Sequence, residues 1–160
     1  IVTDGGGNYN ALSRFDRDVL SLPNVGYIVM LEGINDVGHA GYNPATQTTE
    51  TSVTADDVIS GYKQIIARAH EHGIKVYGAE VLPFKGAKYD SAEHDSMRAA
   101  INTWIRTSGA FDALIDFKDA VADPADALQL NPALERGDHL HPNNDGERAM
   151  GAAIDLQLFK

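Results

Sequence analysis

Apolar residues follow two patterns that alternate along this chain. Short, almost continuous apolar runs occupy residues 25–31, 74–79 and 114–117. Such runs predict strands covered on both faces of a sheet. Between them, apolar residues recur at helical spacing. Leu12, Phe15 and Val19 mark a helix that Asn10 can cap and Pro23-Asn24 ends. Val58, Ile59, Tyr62, Ile65, Ile66 and Ala69 mark a second, with Thr54 as its cap, Asp56 and Asp57 in its first turn, and Gly73 at its end. Ser91 caps a third, whose apolar face is Met97, Ala100, Ile101, Trp104 and Ile105, and Gly109 ends it. A fourth spans 144–158 with Met150, Ala153, Ile154 and Leu158 inward.

Loops fill the intervals. Residues 3–8 hold three glycines in a row and start neither helix nor strand. Residues 37–53 are a long polar loop behind the first strand, 83–90 a second loop, and 118–136 a helical turn followed by irregular chain. The order α-β-α-β-α-β-α predicts an α/β domain over 1–160: a parallel sheet with right-handed crossovers and helices on both faces.

Composition narrows the field. The 160 residues are 43% hydrophobic and 22% charged, as in an ordinary globular domain. A formal net charge of −10 argues against nucleic acid and membrane partners, because both present negative surfaces. No apolar run approaches the roughly 20 residues that span a bilayer. The absence of cysteine removes disulfides, thiolate metal sites and a Cys nucleophile. The chain opens on Ile1 with no leader-like segment, so it is expected to be a processed or trimmed piece with any signal peptide upstream.

Two stretches carry chemistry. The first strand runs into Gly33-Ile34-Asn35-Asp36, at the carboxyl edge where open α/β sheets bind ligands. Far downstream, Gly137-Asp138-His139-Leu140-His141-Pro142 sets a carboxylate and two imidazoles just before a helix. Asp and His three apart on a turn can hydrogen-bond while both face one cleft. Each stretch also has a plainer reading. Asn35-Asp36 suits an ordinary turn, and Asp36 a structural hydrogen-bonder. Asp138 and His141 suit a helix cap or, with His139, a metal site that lacks an obvious third ligand. His139 is otherwise an exposed or supporting imidazole. His70, His72 and His94 lie on helices and read as solvated. The glycines at 5–7 are no phosphate cradle, since no strand precedes them and no Lys-Ser/Thr follows.

Gly33-x-Asn35-Asp36 and Asp138-x-x-His141, in this order and each behind the right element, resemble the third and fifth sequence blocks of the SGNH (GDSL-type) hydrolases. The flanking text, including NALSRFDRDVL, VMLEGINDVG and GDHLHPNNDGERAM, is similar to bacterial secreted members over essentially the whole chain. The resemblance implies a flavodoxin-like three-layer α/β/α fold and a carboxylic-ester hydrolase of esterase or lipase type, secreted, needing neither metal nor organic cofactor. It implies that Asn35 donates its amide to the oxyanion. His141 would be the general base and then the acid, with Asp138 orienting it. Gly33 and His39 would line the oxyanion and substrate side. Each oxyanion donor is worth roughly 3 kcal/mol.

The chain departs from the family at its start. The Gly-Asp-Ser block that carries the nucleophile and the second block are both absent. Of the serines, Asp95-Ser96 comes nearest, but it lies mid-helix beside Met97. The nucleophile is therefore expected upstream of Ile1, and this chain alone is expected to be inactive. In the family's 2-1-3-4-5 sheet order the missing first strand pairs with residues 25–31. Its absence leaves an open edge, which is expected to take the missing segment or another copy of the chain. The competing reading is a catalytically inactive SGNH-like module binding carbohydrate or acyl groups. A flavodoxin-like nucleotide binder is disfavoured, because no strand leads into a phosphate loop. The small-molecule ester would be a short acyl or acetyl ester, with loops 37–53 and 82–90 shaping the choice.

Overall fold

A computed structural model describes residues 1–4, 9–43 and 48–160 of the chain. Gly5, Gly6 and Gly7, read above as part of an opening loop, lie outside the described residues, as do 44–47 of the polar loop.

Three parallel strands form the sheet in the order β1-β4-β5: β1 is Tyr27–Met30, β4 is Lys75–Gly78 and β5 is Ala113–Leu114. Tyr27 pairs with Lys75 and Met30 with Gly78, while Gly78 also pairs with Leu114. Alternation along β4 decides the layers. Val76 joins a core cluster with Val58, Tyr62, Ile65, Ile101 and Ile105. Tyr77 and Ala79 point the other way and join Ile115, Phe117, Val121 and Leu130. One face is thus covered by α3 (Ala55–Glu71) and α4 (Ala92–Thr107), and the other by α5 (Phe117–Val121) and α6 (Asn144–Ala152). This is the expected α/β arrangement of a parallel sheet between helical layers.

Helix α3 forms as the sequence predicts. Thr54 Oγ1 accepts from the Asp57 N–H, and the Asp57 carboxylate accepts back from the Thr54 N–H, closing a capping box. Its six apolar positions named above are all buried. Ser91 caps α4 by accepting from the His94 N–H. Ile101 and Ile105 are buried there, whereas Ala100 faces solvent.

Five expectations need correction. The strand read at 25–31 is not covered on both faces. It is the shorter β1 at the edge of the sheet, with Val29 41% exposed and no neighbour beyond it among the described residues. The polar loop 37–53 contains structure: α2 (Ile34–Gly38), then an antiparallel ribbon of β2 (Gly41–Asn43) and β3 (Thr48–Thr51). Its run of β-branched threonines suits a pleated strand better than open loop. The strand read at 114–117 stops at Leu114, and Phe117 instead opens α5. The last helix ends at Ala152, a 3₁₀ turn, Leu156–Phe159, comes after it, and Ala153 is exposed. Asp155 breaks that run because its side chain accepts the Gln157 N–H and starts the new turn. The first helix also divides, into α1 (Ala11–Phe15) and a π-helical turn, Asp16–Leu20.

Asp36 ties the start of the chain to α2. It is fully buried. Its Oδ1 accepts from the backbone N–H groups of Val2 and Thr3 and from the Thr3 hydroxyl, all at 2.9 Å, and its Oδ2 meets the nitrogen of Ile1. It is the structural hydrogen-bonder the sequence suggested. Burial alone would push its carboxyl up, but these donors outweigh burial and hold it below the ordinary carboxylate range.

Asp36→Ala leaves buried donors without an acceptor. Urea unfolding of the polypeptide that carries this chain is expected to show a loss of about 2–4 kcal/mol.

Candidate active site

The first half of the site is set by the turn after β1. Gly33 sits at φ 102°, and a side chain there would press a Cβ to 2.9 Å from the Tyr62 hydroxyl. That hydroxyl donates to the Glu32 carbonyl at 2.6 Å. Burial pushes the Tyr62 phenol far up, so it remains a neutral donor. With Gly33 in this conformation, α2 begins at once. Asp36 turns inward while Asn35 stays exposed on a cleft of about 800 Å³ that Gly33, Glu32 and His39 also line. Asn35 Oδ1 accepts from the Tyr89 hydroxyl at 2.9 Å, and His39 Nε2 lies 2.9 Å from the same hydroxyl.

The second half is the turn before α6. Gly137, at φ 90°, and His139, at φ 57°, curl the backbone. The buried Glu135 carboxylate accepts the N–H groups of Gly137 (2.5 Å) and His139 (3.0 Å) from beneath. Asn143 caps α6 by accepting from Asp145 and Gly146, and its amide donates to the Ala133 and Glu135 carbonyls. On this frame Asp138 Oδ1 accepts the N–H groups of Leu140 (3.0 Å) and His141 (2.9 Å), and Oδ2 accepts His141 Nδ1–H at 2.6 Å. The imidazole and then the two backbone groups hold the Asp138 carboxyl far below the usual carboxylate range, although it is open to water. Because Nδ1 carries the proton toward Asp138, Nε2 of the exposed His141 is left with its lone pair outward.

Asp138 and His141 are thus brought together directly, and Asn35, His39 and Gly33 line one cleft. No hydrogen bond joins the two groups among the described residues. The segment 83–90, beyond the end of β4, runs near both turns: Tyr89 bonds Asn35, and a Cβ on Gly86 would come to 3.3 Å from the His139 ring. Ser96 is exposed in the middle of α4. His70 meets Asp112 at 2.9 Å, and His72 meets the Arg68 carbonyl at 3.0 Å, both on the exposed surface. His94 corrects the expectation of a solvated side chain. Its two ring nitrogens face the carbonyls of Tyr89 (2.7 Å) and Ala40 (2.9 Å), fastening the 83–90 loop to the segment after α2. Among the described residues no three His, Cys, Asp or Glu side chains group to hold a metal ion, and no helix is long and apolar enough to cross a membrane.

Sequence reasoning missed Tyr89 and Glu135. Tyr89 is an aromatic within a loop already expected to shape the choice of ester. Glu135 precedes the glycine of the turn by two residues, the offset at which a carboxylate reaches back to the turn's N–H groups.

The chain matches the GDSL-like Lipase/Acylhydrolase family over residues 2–149. No curated protein sequence matches it. Among solved structures it is similar to a GDSL-like lipase from Bacteroides thetaiotaomicron, with 21% identity and a TM-score of 0.71, covering 92% of this chain and 68% of that one. It is also similar to an acetylxylan esterase from Geobacillus stearothermophilus, with 16% identity and a TM-score of 0.66, covering 92% of this chain and 64% of that one. The chain therefore spans about two thirds of the length of these structures. The match over nearly all of its residues and the shared parallel sheet between helices lead to one conclusion: the chain belongs to the GDSL-like Lipase/Acylhydrolase family.

Proposed function

We propose that this chain carries the acid–base pair and an oxyanion donor of a carboxylic-ester hydrolase whose serine nucleophile lies upstream of Ile1. The observation that carries the reading is the Asp138–His141 pair. Its 2.6 Å hydrogen bond fixes the tautomer that leaves Nε2 basic and outward. Nε2 of His141 takes the serine proton as Oγ attacks the ester carbonyl. The oxyanion that forms accepts from the Asn35 side-chain amide, in the cleft that Gly33 and His39 line. The imidazolium, stabilised by ionised Asp138, then protonates the departing alcohol. Water repeats the cycle on the acyl-enzyme, and His141 returns the proton to the serine. No step calls for a metal or an organic cofactor. Short acyl or acetyl esters suit the reading, in keeping with the acetylxylan esterase among the similar structures.

The same reading gives the open side of β1 an occupant. A groove of about 340 Å³ runs along Ile28, Val29, Met30 and Leu31, walled by Phe15 and Val19. A further parallel strand, supplied by the upstream segment, would pair with β1 there and bring its own carboxyl end beside Asn35.

In the polypeptide that includes the upstream segment, His141→Ala is expected to lower kcat on p-nitrophenyl acetate by roughly 10³-fold or more, and Asp138→Asn by roughly 10²- to 10⁴-fold. If that longer polypeptide and this chain alone are both inert, the binding-module reading replaces this one. Since Asp138 stays ionised where ordinary carboxylates titrate, the acid limb of kcat/KM is expected to carry no step from this carboxylate in that range. A step in the carboxylate range, near pH 4, would contradict the assignment. Size-exclusion chromatography of residues 1–160 alone is expected to show association that the upstream segment suppresses; a compact, cooperatively unfolding monomer would count against the open-edge proposal.

A further inference from the structure

Tyr89 is buried, yet its hydroxyl is not spent on packing. It touches two polar groups of the candidate site, Asn35 Oδ1 and His39 Nε2, each at 2.9 Å. A phenol has one proton to give. Where Nε2 of His39 carries hydrogen, it donates to the phenol oxygen, and the hydroxyl proton is committed to Asn35 Oδ1. The amide of Asn35 is then held with its oxygen toward Tyr89 and its NH₂ toward the cleft. The reverse chain, with the phenol donating to His39, would require the Asn35 NH₂ to face Tyr89. Its oxygen would then turn to the cleft, where it repels an oxyanion.

The surroundings are built to seat this ring. A Cβ on Gly38, in the last turn of α2, would overlap the Tyr89 ring, so a glycine there lets the aromatic lie against the helix. The His39 ring meets it edge-on, with centroids 5.2 Å apart. The Tyr89 backbone is braced by the His94 ring, which lies between its carbonyl (2.7 Å) and that of Ala40 (2.9 Å). The hydroxyl is therefore fixed relative to α2 from two sides, through its own segment and through the helix.

Resting on the hydrolase reading above, we infer that Tyr89 is a positioning residue for that reaction: its hydroxyl, oriented by His39, sets the rotation of the Asn35 amide and so aims the oxyanion donor. Preorganised donors act because they need no reorientation as charge develops. Without the hydroxyl the amide can flip, and a fraction of molecules presents oxygen instead of NH₂.

The test is a double-mutant cycle in the polypeptide with its upstream segment, using p-nitrophenyl acetate, with thermal unfolding followed in parallel. Tyr89→Phe keeps the ring. It is expected to lower kcat roughly 10- to 100-fold with KM and melting temperature nearly unchanged, and to cost little more once Asn35→Ala is in place. Asn35→Ala alone is expected to lower kcat roughly 10²- to 10³-fold. If Asn35→Ala is damaging but Tyr89→Phe is silent, the positioning role falls and the hydrolase reading stands. If Asn35→Ala is itself silent, the oxyanion assignment and this inference fall together. A Tyr89→Phe loss that adds fully to that of Asn35→Ala, or that tracks a lowered melting temperature, marks a structural residue and overturns the proposal.

Discussion

Everything in this molecule depends on the parallel pairing of β1 with β4. Parallel neighbours end on the same side, so the chain leaves both strands at one edge, and the two segments beyond the strand ends meet there. After β1 comes the Gly33–Asn35 turn, and after β4 the segment that holds Tyr89. The 2.9 Å bond between Tyr89 and Asn35 joins residues far apart in sequence because the pairing of Met30 with Gly78 has already brought their strands together. Burial holds that pairing in place. Val76 on one face and Tyr77 on the other are almost inaccessible, so β4 cannot slip by one residue without exchanging the two cores.

The two polar turns differ in how they hold their side chains. The Asp138–His141 turn is local: its bonds join residues within a few positions, over the Glu135 carboxylate and the Asn143 cap. Its geometry needs little from the rest of the fold. The Asn35 turn is held from a distance, by Tyr62 under Glu32, by Asp36 against Val2 and Thr3, and by Tyr89 from beyond β4. A disturbance elsewhere in the domain would reach Asn35 before it reached the imidazole.

This difference also explains what could be read from the sequence. Asp138 and His141 were legible because a carboxylate and an imidazole three apart on a turn form their bond without outside help. Helix α3 was legible for the same reason: its cap, its acidic first turn and its apolar face are all local. The extent of β1 was not, because apolar composition reports that a strand prefers burial and does not reveal which neighbour supplies it; Val29 is apolar and still 41% exposed. Tyr89 and His94 were hidden because their partners lie across the fold, and no spacing within the chain announces a bond to Asn35 or to the carbonyl of Ala40. The ribbon within 37–53 was masked by polar composition, although its threonines favour extended backbone.

The outer side of β1 has a geometric corollary. Two identical chains that meet edge to edge through a two-fold axis bring β1 against β1 in opposite directions. The result would be one continuous six-stranded sheet with an antiparallel seam. The two Asn35 turns would then sit at opposite ends of the seam, each beside the start of the other copy's strand. Homodimerisation can thus satisfy the backbone of this border while keeping the two Asn35 turns a strand's length apart.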